Sequence, residues 1–172
     1  IRDRINADAA TATKQLIDEI KKQKLKLDVT NWTNTYLNER KKFLINRDKY
    51  NLGKNFPIQP KGLFKELRKA LPKNSAITLD AGTLCLQATD ALEYYDPPSL
   101  FTPLDFGLVG FSFACGLGVK VAKPKKTVVS LMGDGGFGMT ISELSTAVEY
   151  GINTTTIVTV SYTHLRAHET WS

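Results

Sequence analysis

The sequence predicts an α/β protein in which helices flank a parallel β-sheet, with a helical leader in front and a sheet that is incomplete at the C-terminus. Two patterns predict this fold. After Pro60, segments with helical periodicity alternate with short runs of apolar and β-branched residues. In addition, the glycine-rich segment Gly133–Gly138 follows one of these runs and precedes a helical pattern, which is where a binding loop lies in an open parallel sheet.

The leader has the pattern of two amphipathic helices. Between residues 7 and 27, apolar side chains recur at four- and seven-residue steps and so share one helix face: Leu16, Ile20 and Leu27. Asp8 is a candidate N-cap for this helix. A second pattern places three aromatic side chains on one face: Trp32, Tyr36 and Phe43. Residues 51–57 are dense in helix breakers and predict a linker.

The region after Pro60 contains the alternating elements. Its first helix is predicted to pass through Leu63, Leu67 and Ala70. Three strands are predicted at Ala76–Leu79, Thr127–Met132 and Thr154–Val160. Further helices are predicted at Leu84–Tyr94, Gly110–Val121 and Thr140–Tyr150. Because ligands of such folds bind at the carboxyl ends of the strands, we expect the site at that edge of the sheet.

Composition and charge argue against several classes of protein. Of the 172 residues, 42% are apolar and 23% are charged, as in globular domains. The net charge of +6 is uneven, because residues 1–73 carry 18 basic and 8 acidic side chains whereas residues 74–172 carry 5 and 9. The basic excess therefore belongs to the predicted leader helices, and no nucleic-acid reader motif accompanies it. We expect no nucleic-acid partner.

The sequence also predicts a cytoplasmic protein. No apolar run approaches the roughly 18 residues of a membrane span, and the first residues lack the apolar core of a secretory signal. Cys85 and Cys115 form neither a metal-binding pair nor a disulfide framework. We therefore expect no membrane partner and two free thiols in a reducing compartment.

The segment Gly133–Gly138 fits two kinds of phosphate site. Between a strand and a helix it suits a cradle of backbone N–H groups, and it also matches the GxGxxG pattern of dinucleotide sites. A dinucleotide site requires an acidic residue after the next strand, and Thr154–Val160 ends without one. Asp134 would repel a pyrophosphate unless a cation lay between them, and Mg²⁺ binds through carboxylates and phosphate oxygens. The segment therefore favours a metal-bridged diphosphate over NAD.

Several segments, taken in order, resemble one family. Gly133–Gly135, with Met139 and the run Thr146–Gly151, resembles the thiamine diphosphate motif of the acetolactate synthase-like enzymes, which act on 2-keto acids. Four earlier segments are similar to successive landmarks of that family: Pro57–Pro60, Leu67–Pro72, Asp80–Gly82 and Gly107–Phe111. The resemblance implies the end of a central domain over residues 1–28 and a helical linker over residues 29–56. It implies part of the pyrophosphate-binding domain, with the thiamine diphosphate-binding fold, over residues 57–160.

The resemblance also implies roles for the residues around the glycine-rich segment. Asp134 would ligate Mg²⁺, and Gly135 and Gly136 would present their backbone to the diphosphate. Gly133 belongs to the same motif, and Met139 stands where a methionine lines the cofactor pocket. Each of the glycines could also serve a turn alone, and Met139 could be a core residue.

Earlier residues are implied to form the other side of the cofactor site. Gly82 and Thr83 are similar in place to residues that contact the diphosphate, and Gly107 belongs to the landmark before the wedge position. Val109 stands where the family has an apolar wedge that holds the cofactor bent. A core role for Val109 and a turn role for Gly82 are the alternatives.

The family's second metal ligand is missing at its expected place. An asparagine is expected 27 residues beyond Asp134, where this sequence has Ser161. A serine hydroxyl could ligate Mg²⁺, but residues 161–170 also resemble the translation of a sequencing adapter. We therefore expect residues 161–172 to be a non-native tail.

The resemblance implies a magnesium- and thiamine diphosphate-dependent enzyme that decarboxylates a 2-keto acid and transfers the carbanion to a second carbonyl. The activating glutamate is expected in a domain outside this chain, so the chain alone is predicted to be inactive. A homodimer or higher homo-oligomer is implied, and FAD is a possible further cofactor. Two other classes stay open: a non-catalytic binding module with a decayed fold, and an NAD-binding oxidoreductase domain.

Overall fold

A computed structural model of the protein describes residues 4–26, 28–48 and 58–160. The chain divides into two units, Ile1–Tyr50 and Asn51–Ser172. Three sequence predictions lie outside the described residues: the place of Leu27 on the first helix, the linker at 51–57 and the tail at 161–172. The assignment of residues 1–28 to a central domain and of residues 29–56 to a linker stays a prediction.

The first unit contains the two predicted leader helices, α1 (Ala9–Lys22) and α2 (Thr30–Asp48). Asp8 caps α1, because its carboxylate accepts a hydrogen bond of 2.9 Å from the backbone N–H of Thr11. This bond to Thr11 lowers the pKa of the Asp8 carboxyl below its usual value. Trp32 and Tyr36 stack on the surface of α2, with ring centroids 5.8 Å apart. Helix α1 buries none of its side chains.

The second unit alternates helices and strands from Pro60 to Thr159. Its helices are α3 (Pro60–Ala70), α4 (Thr83–Ala91), α5 (Phe111–Ala122), α6 (Asp134–Thr140) and α7 (Glu143–Glu149). Its strands are β1 (Ala76–Leu79), β2 (Leu100–Phe101), β3 (Val128–Gly133) and β4 (Thr155–Thr159). The sheet order is β2-β1-β3-β4, and all neighbouring strands are parallel. This confirms the predicted parallel α/β sheet flanked by helices.

Strands β1 and β3 form the buried centre of the sheet, because their side chains alternate between two helical layers. Ile77 and Leu79 pack with Val129 and Leu131 against α3 and α4, where Phe64 is fully buried. The alternate residues face α5, where Val128 packs on Val119 and Met132 on Phe113 and Leu117. The period of two along each strand therefore builds a three-layer core.

A cluster of buried hydroxyls lies between α5 and the two central strands. The Thr78 hydroxyl donates to Ser130 Oγ at 2.9 Å, and the Ser112 hydroxyl donates to the Thr78 carbonyl at 2.9 Å. Gly116 faces this cluster, and a β-carbon there would overlap with Ser130 Oγ. The small residues of α5 therefore allow the helix to pack closely on polar strand residues, and these polar groups satisfy one another.

The structure corrects two predictions and adds one strand. The predicted glycine loop at 133–138 is wrong, because from Asp134 onward it forms helix α6. Its glycines need no left-handed conformation there, and an acidic residue in the first turn stabilises a helix. The single helix predicted at 140–150 is divided between α6 and α7. Strand β2 was not predicted, because two residues carry no periodicity.

Candidate functional site

The candidate site lies at the carboxyl edge of the sheet, where three helices begin. The N-caps of α4, α5 and α6 are all glycines: Gly82, Gly110 and Gly133. The first turn of a helix has N–H groups without partners in the helix, and the helix dipole places partial positive charge there. This edge therefore presents several backbone donors that could bind an anion.

Asp80 and Asp134 each follow a strand directly at this edge, because β1 ends at Leu79 and β3 ends at Gly133. Asp80 is only 2% exposed. Its Oδ2 accepts a hydrogen bond of 3.0 Å from Gly110 N–H, and its Oδ1 accepts one of 3.0 Å from Ser112 N–H. Asp80 therefore satisfies two of the free donors of α5. Sequence reasoning missed this role, although an acid directly after a buried strand was a usable signal.

Asp134 has the opposite environment. It is exposed, and none of the described residues hydrogen-bonds to its carboxylate or pairs with it as an ion. In the sheet its neighbour Gly133 lies opposite Thr159, whose hydroxyl donates to the Met132 carbonyl at 3.4 Å. The carboxylate of Asp134 is therefore free to bind a ligand at the end of β3.

The glycines of the motif differ in what surrounds them. Gly135 is exposed, and a β-carbon there would meet nothing within 4 Å. Gly136 is buried, and a β-carbon there would overlap with Oδ2 of Asp80. The sequence interpretation gave both a role toward a diphosphate. The structure shows that Gly136 also has a packing reason to be glycine.

The residues expected on the other side of the site lie at the start of α4 and in the loop before α5. Gly82 has a φ of 122°, a conformation that favours glycine, and Thr83 is the exposed first residue of α4. Gly107 has a φ of 64°, and its N–H donates to the Pro103 carbonyl. Gly82 thus needs its glycine for backbone geometry, whatever ligand lies nearby.

Val109 and Met139 lie near one another beside the N-terminus of α5. A β-carbon at Gly110 would be 3.2 Å from Cβ of Met139, and Val109 is the residue before Gly110. Val109 is 49% exposed and Met139 is 69% exposed. Neither side chain therefore lies in the core of the described residues, and the contact of both with a cofactor stays a prediction.

The structure brings the motif from Gly133 to Met139 together with Gly110 and Asp80. Ser161, which stands at the expected position of a second metal ligand, lies outside the described residues. Within the described ranges, no group of three or more His, Cys, Asp or Glu side chains could enclose a metal. A metal held here by the described residues would therefore have Asp134 as its carboxylate ligand. Its other coordinating oxygen atoms would come from water or from the phosphate groups of a bound molecule. No helix of the described ranges is both long enough and apolar enough to span a membrane.

Comparison with known proteins identifies the class to which this fold and edge belong. The family model described as "Thiamine pyrophosphate enzyme, C-terminal TPP binding domain" matches residues 80–161. The match begins at Asp80 and includes α5, β3 and the Asp134 segment. Residues 80–161 therefore belong to the C-terminal TPP binding domain of the thiamine pyrophosphate enzymes, and the predicted resemblance is confirmed.

The similar proteins include acetolactate synthases and a related acetyltransferase. The chain is 34% identical over 148 residues to the acetolactate synthase large subunit of Buchnera aphidicola subsp. Acyrthosiphon pisum. It is 29% identical over 156 residues to the sulfoacetaldehyde acetyltransferase of Castellaniella defragrans. These alignments cover 86% and 90% of this chain and 25% of each relative. The chain therefore spans about a quarter of the length of these curated relatives.

A solved structure has the same fold. The thiamine diphosphate-dependent 4-hydroxybenzoylformate decarboxylase of Rhodococcus jostii RHA1 superposes with a TM-score of 0.59 at 24% sequence identity. The superposition covers 67% of this chain and 22% of that one. At this identity the likeness shows the fold alone.

Proposed function

We propose that this chain is the thiamine diphosphate- and Mg²⁺-binding part of an enzyme that decarboxylates a 2-keto acid and transfers the resulting carbanion to a second carbonyl. The observation that carries the proposal is the exposed carboxylate of Asp134, which follows β3 at the edge where α4 and α5 also begin. Its neighbour at this edge, Asp80, is fully engaged by two backbone donors. Asp134 is therefore the acid available for a metal.

The residues present at this edge fit Mg²⁺ better than a softer metal. Mg²⁺ prefers oxygen ligands and keeps several of its ligands as water or substrate phosphate oxygens, so one protein carboxylate is enough. Among the described residues, no His or Cys forms a cluster with Asp134. The first turn of α6 supplies backbone N–H groups next to the carboxylate, and the exposed Gly135 leaves them accessible.

In this proposal, different residues at the carboxyl edge of the sheet bind different parts of the cofactor. Asp134 would hold the metal, while the backbone at Gly82, Thr83 and Gly135 would bind the diphosphate oxygens. Exposed Val109 and Met139 would provide an apolar wall that excludes water from the rest of the cofactor. When bound, thiamine diphosphate supplies an electron sink for the loss of CO₂ from a 2-keto acid.

The similar acetolactate synthases favour transfer to a second carbonyl over simple decarboxylation. Because the chain spans a quarter of such relatives, we propose that it binds the cofactor without turnover on its own. A cytoplasmic location, a homo-oligomeric enzyme and FAD as an additional cofactor are also proposed, from the family resemblance.

Calorimetry on the full chain tests this proposal. We expect thiamine diphosphate to bind with Mg²⁺ and not in excess EDTA, and Asp134→Asn to weaken that binding by about 100-fold or more, since it removes the carboxylate ligand. Glu149→Gln is the matched control, because it removes an exposed carboxylate at the end of α7. Binding of NAD in EDTA would favour an oxidoreductase domain instead, and binding of neither molecule would favour a non-catalytic module.

A further inference from the structure

Asp80 joins three elements of the site edge. It follows β1, it accepts hydrogen bonds from Gly110 and Ser112 at the start of α5, and it packs against Gly136 in α6. The α6 turn that Gly136 occupies also carries Asp134. One buried side chain therefore touches both the α5 terminus, beside Val109, and the turn that carries the proposed metal ligand.

The chemistry of these contacts requires a carboxylate. Both oxygens of Asp80 accept from backbone N–H groups in a buried position, where an amide side chain would turn an NH₂ group toward one of the two donors. The start of a helix also favours negative charge. Asparagine is similar in size to aspartate, so Asp80→Asn removes the charge and one acceptor with little change in volume.

The contact with Gly136 is equally specific. A β-carbon at Gly136 would overlap with Asp80 Oδ2, the oxygen that accepts from Gly110. A β-carbon at Gly138, two residues further along α6, would meet nothing within 4 Å. The α6 backbone therefore leaves no room for a β-carbon between Gly136 and the Asp80 carboxylate, whereas Gly138 faces open space.

We propose that Asp80 is a positioning residue that holds the Asp134 turn of α6 against the N-terminus of α5 and so fixes the metal ligand relative to the rest of the cofactor site. This inference rests on the proposed function, because the position of Asp134 matters only if Asp134 binds the metal. The link between α5 and α6 can nevertheless be measured without any cofactor.

A double-mutant cycle on the full chain tests the contact. Gly136→Ala is expected to destabilise the chain in the wild-type background, raising its unfolding equilibrium constant by about 30-fold. This loss of stability should shrink to about threefold in an Asp80→Ala background, because the overlapping oxygen is gone. Gly138→Ala is the steric control and should have the same effect in both backgrounds. Equal losses for Gly136→Ala in both backgrounds would overturn the inference.

Hydrogen exchange in Asp80→Asn tests the positioning. We expect amide exchange to quicken by about tenfold or more at Gly110 and Ser112 and also across residues 134–140, with β1 and β3 unchanged. A change confined to Gly110 and Ser112 would mean that Asp80 caps α5 and does nothing for the Asp134 turn, which would overturn the inference. If Asp80→Asn does not fold, Gly136→Ala and Gly138→Ala compared in the wild-type background decide whether the contact exists: a much larger loss of stability at Gly136 supports it, and equal losses overturn it.

Cofactor binding separates this inference from the proposed function. With Mg²⁺ present, thiamine diphosphate should bind Asp80→Asn about tenfold more weakly than wild type, while Gly118→Ala, which lies in open space on α5, should bind normally. Wild-type affinity in a folded Asp80→Asn would overturn the positioning role and leave the proposed function intact. Failure of the wild-type chain to bind would overturn the proposed function, and with it the role of Asp80 in placing a metal ligand.

Discussion

The ends of β1 and β3 differ in how they use the same residue type. Each central strand is followed at once by an aspartate at the same edge of the sheet. Asp80 is 2% exposed and bonds to two backbone N–H groups, whereas Asp134 is exposed with no partner among the described side chains. The first carboxylate is part of the fold, and the second is available for a ligand.

This difference shows how the molecule can separate stability from binding at one edge. A buried carboxylate is tolerated only where donors satisfy it, so the stability of this edge depends on the two hydrogen bonds to Asp80. An exposed carboxylate contributes little to folding and keeps its charge for a cation. We therefore expect a substitution at Asp80 to lower stability more than one at Asp134, and a substitution at Asp134 to weaken metal binding more than one at Asp80.

The largest expected effect on stability is that of Asp80→Ala. This substitution leaves the N–H groups of Gly110 and Ser112 buried without an acceptor, and we expect the free energy of unfolding to fall by about 3 kcal/mol. Chemical denaturation monitored by circular dichroism measures it. Asp105→Ala, at an exposed position, should change stability little. A loss no larger than that of the control would contradict the structural role of Asp80.

A smaller loss is expected from Gly116→Ala, beneath the buried acid. The new methyl group would overlap with Ser130 Oγ in the hydroxyl cluster that also contains Ser112. We expect a loss of about 2 kcal/mol, because a packed interior accommodates an added carbon poorly. Gly118→Ala, in the same helix but in open space, should instead be neutral or slightly stabilising. Thermal unfolding of the pair measures the difference, and equal behaviour would show that the cluster is loosely packed.

The smallest effect on stability is expected at the exposed acid. Asp134→Asn should change the free energy of unfolding by no more than about 0.5 kcal/mol, because the carboxylate has no partner among the described residues. The same denaturation experiment measures this value. A loss comparable with that of Asp80→Ala would remove the distinction between the two strand ends.

Much of this architecture could be predicted from local pattern. The short runs of apolar and β-branched residues predicted β1 at its observed bounds and β3 and β4 to within one residue at each end. Strand β2 could not be predicted, since its two residues form a strand only by pairing with β1, where Ile77 N–H donates to the carbonyl of Ser99, the residue before β2. That contact joins residues far apart in sequence, so it produces no periodic pattern of apolar residues.

The sequence motif predicted where the site lies, but it did not predict how the residues of the site pack against one another. Gly133–Gly138 identified the edge, but the pattern did not show that the segment is helical from Asp134 onward. The packing of Gly136 against Asp80 was not predictable either, because it joins residues far apart in sequence. For the same reason the structural role of Asp80 was missed while the exposed Asp134 was recognised.

Binding of Mn²⁺ in place of Mg²⁺ tests the central claim most directly, because the paramagnetic ion broadens the NMR signals of nearby amides even when binding is weak. With thiamine diphosphate present, we expect broadening centred on Asp134 and Gly135 and extending to Thr159, and we expect Asp134→Asn to abolish it. Broadening centred elsewhere on the described chain, or unchanged in Asp134→Asn, would contradict the assignment of Asp134 as the metal ligand.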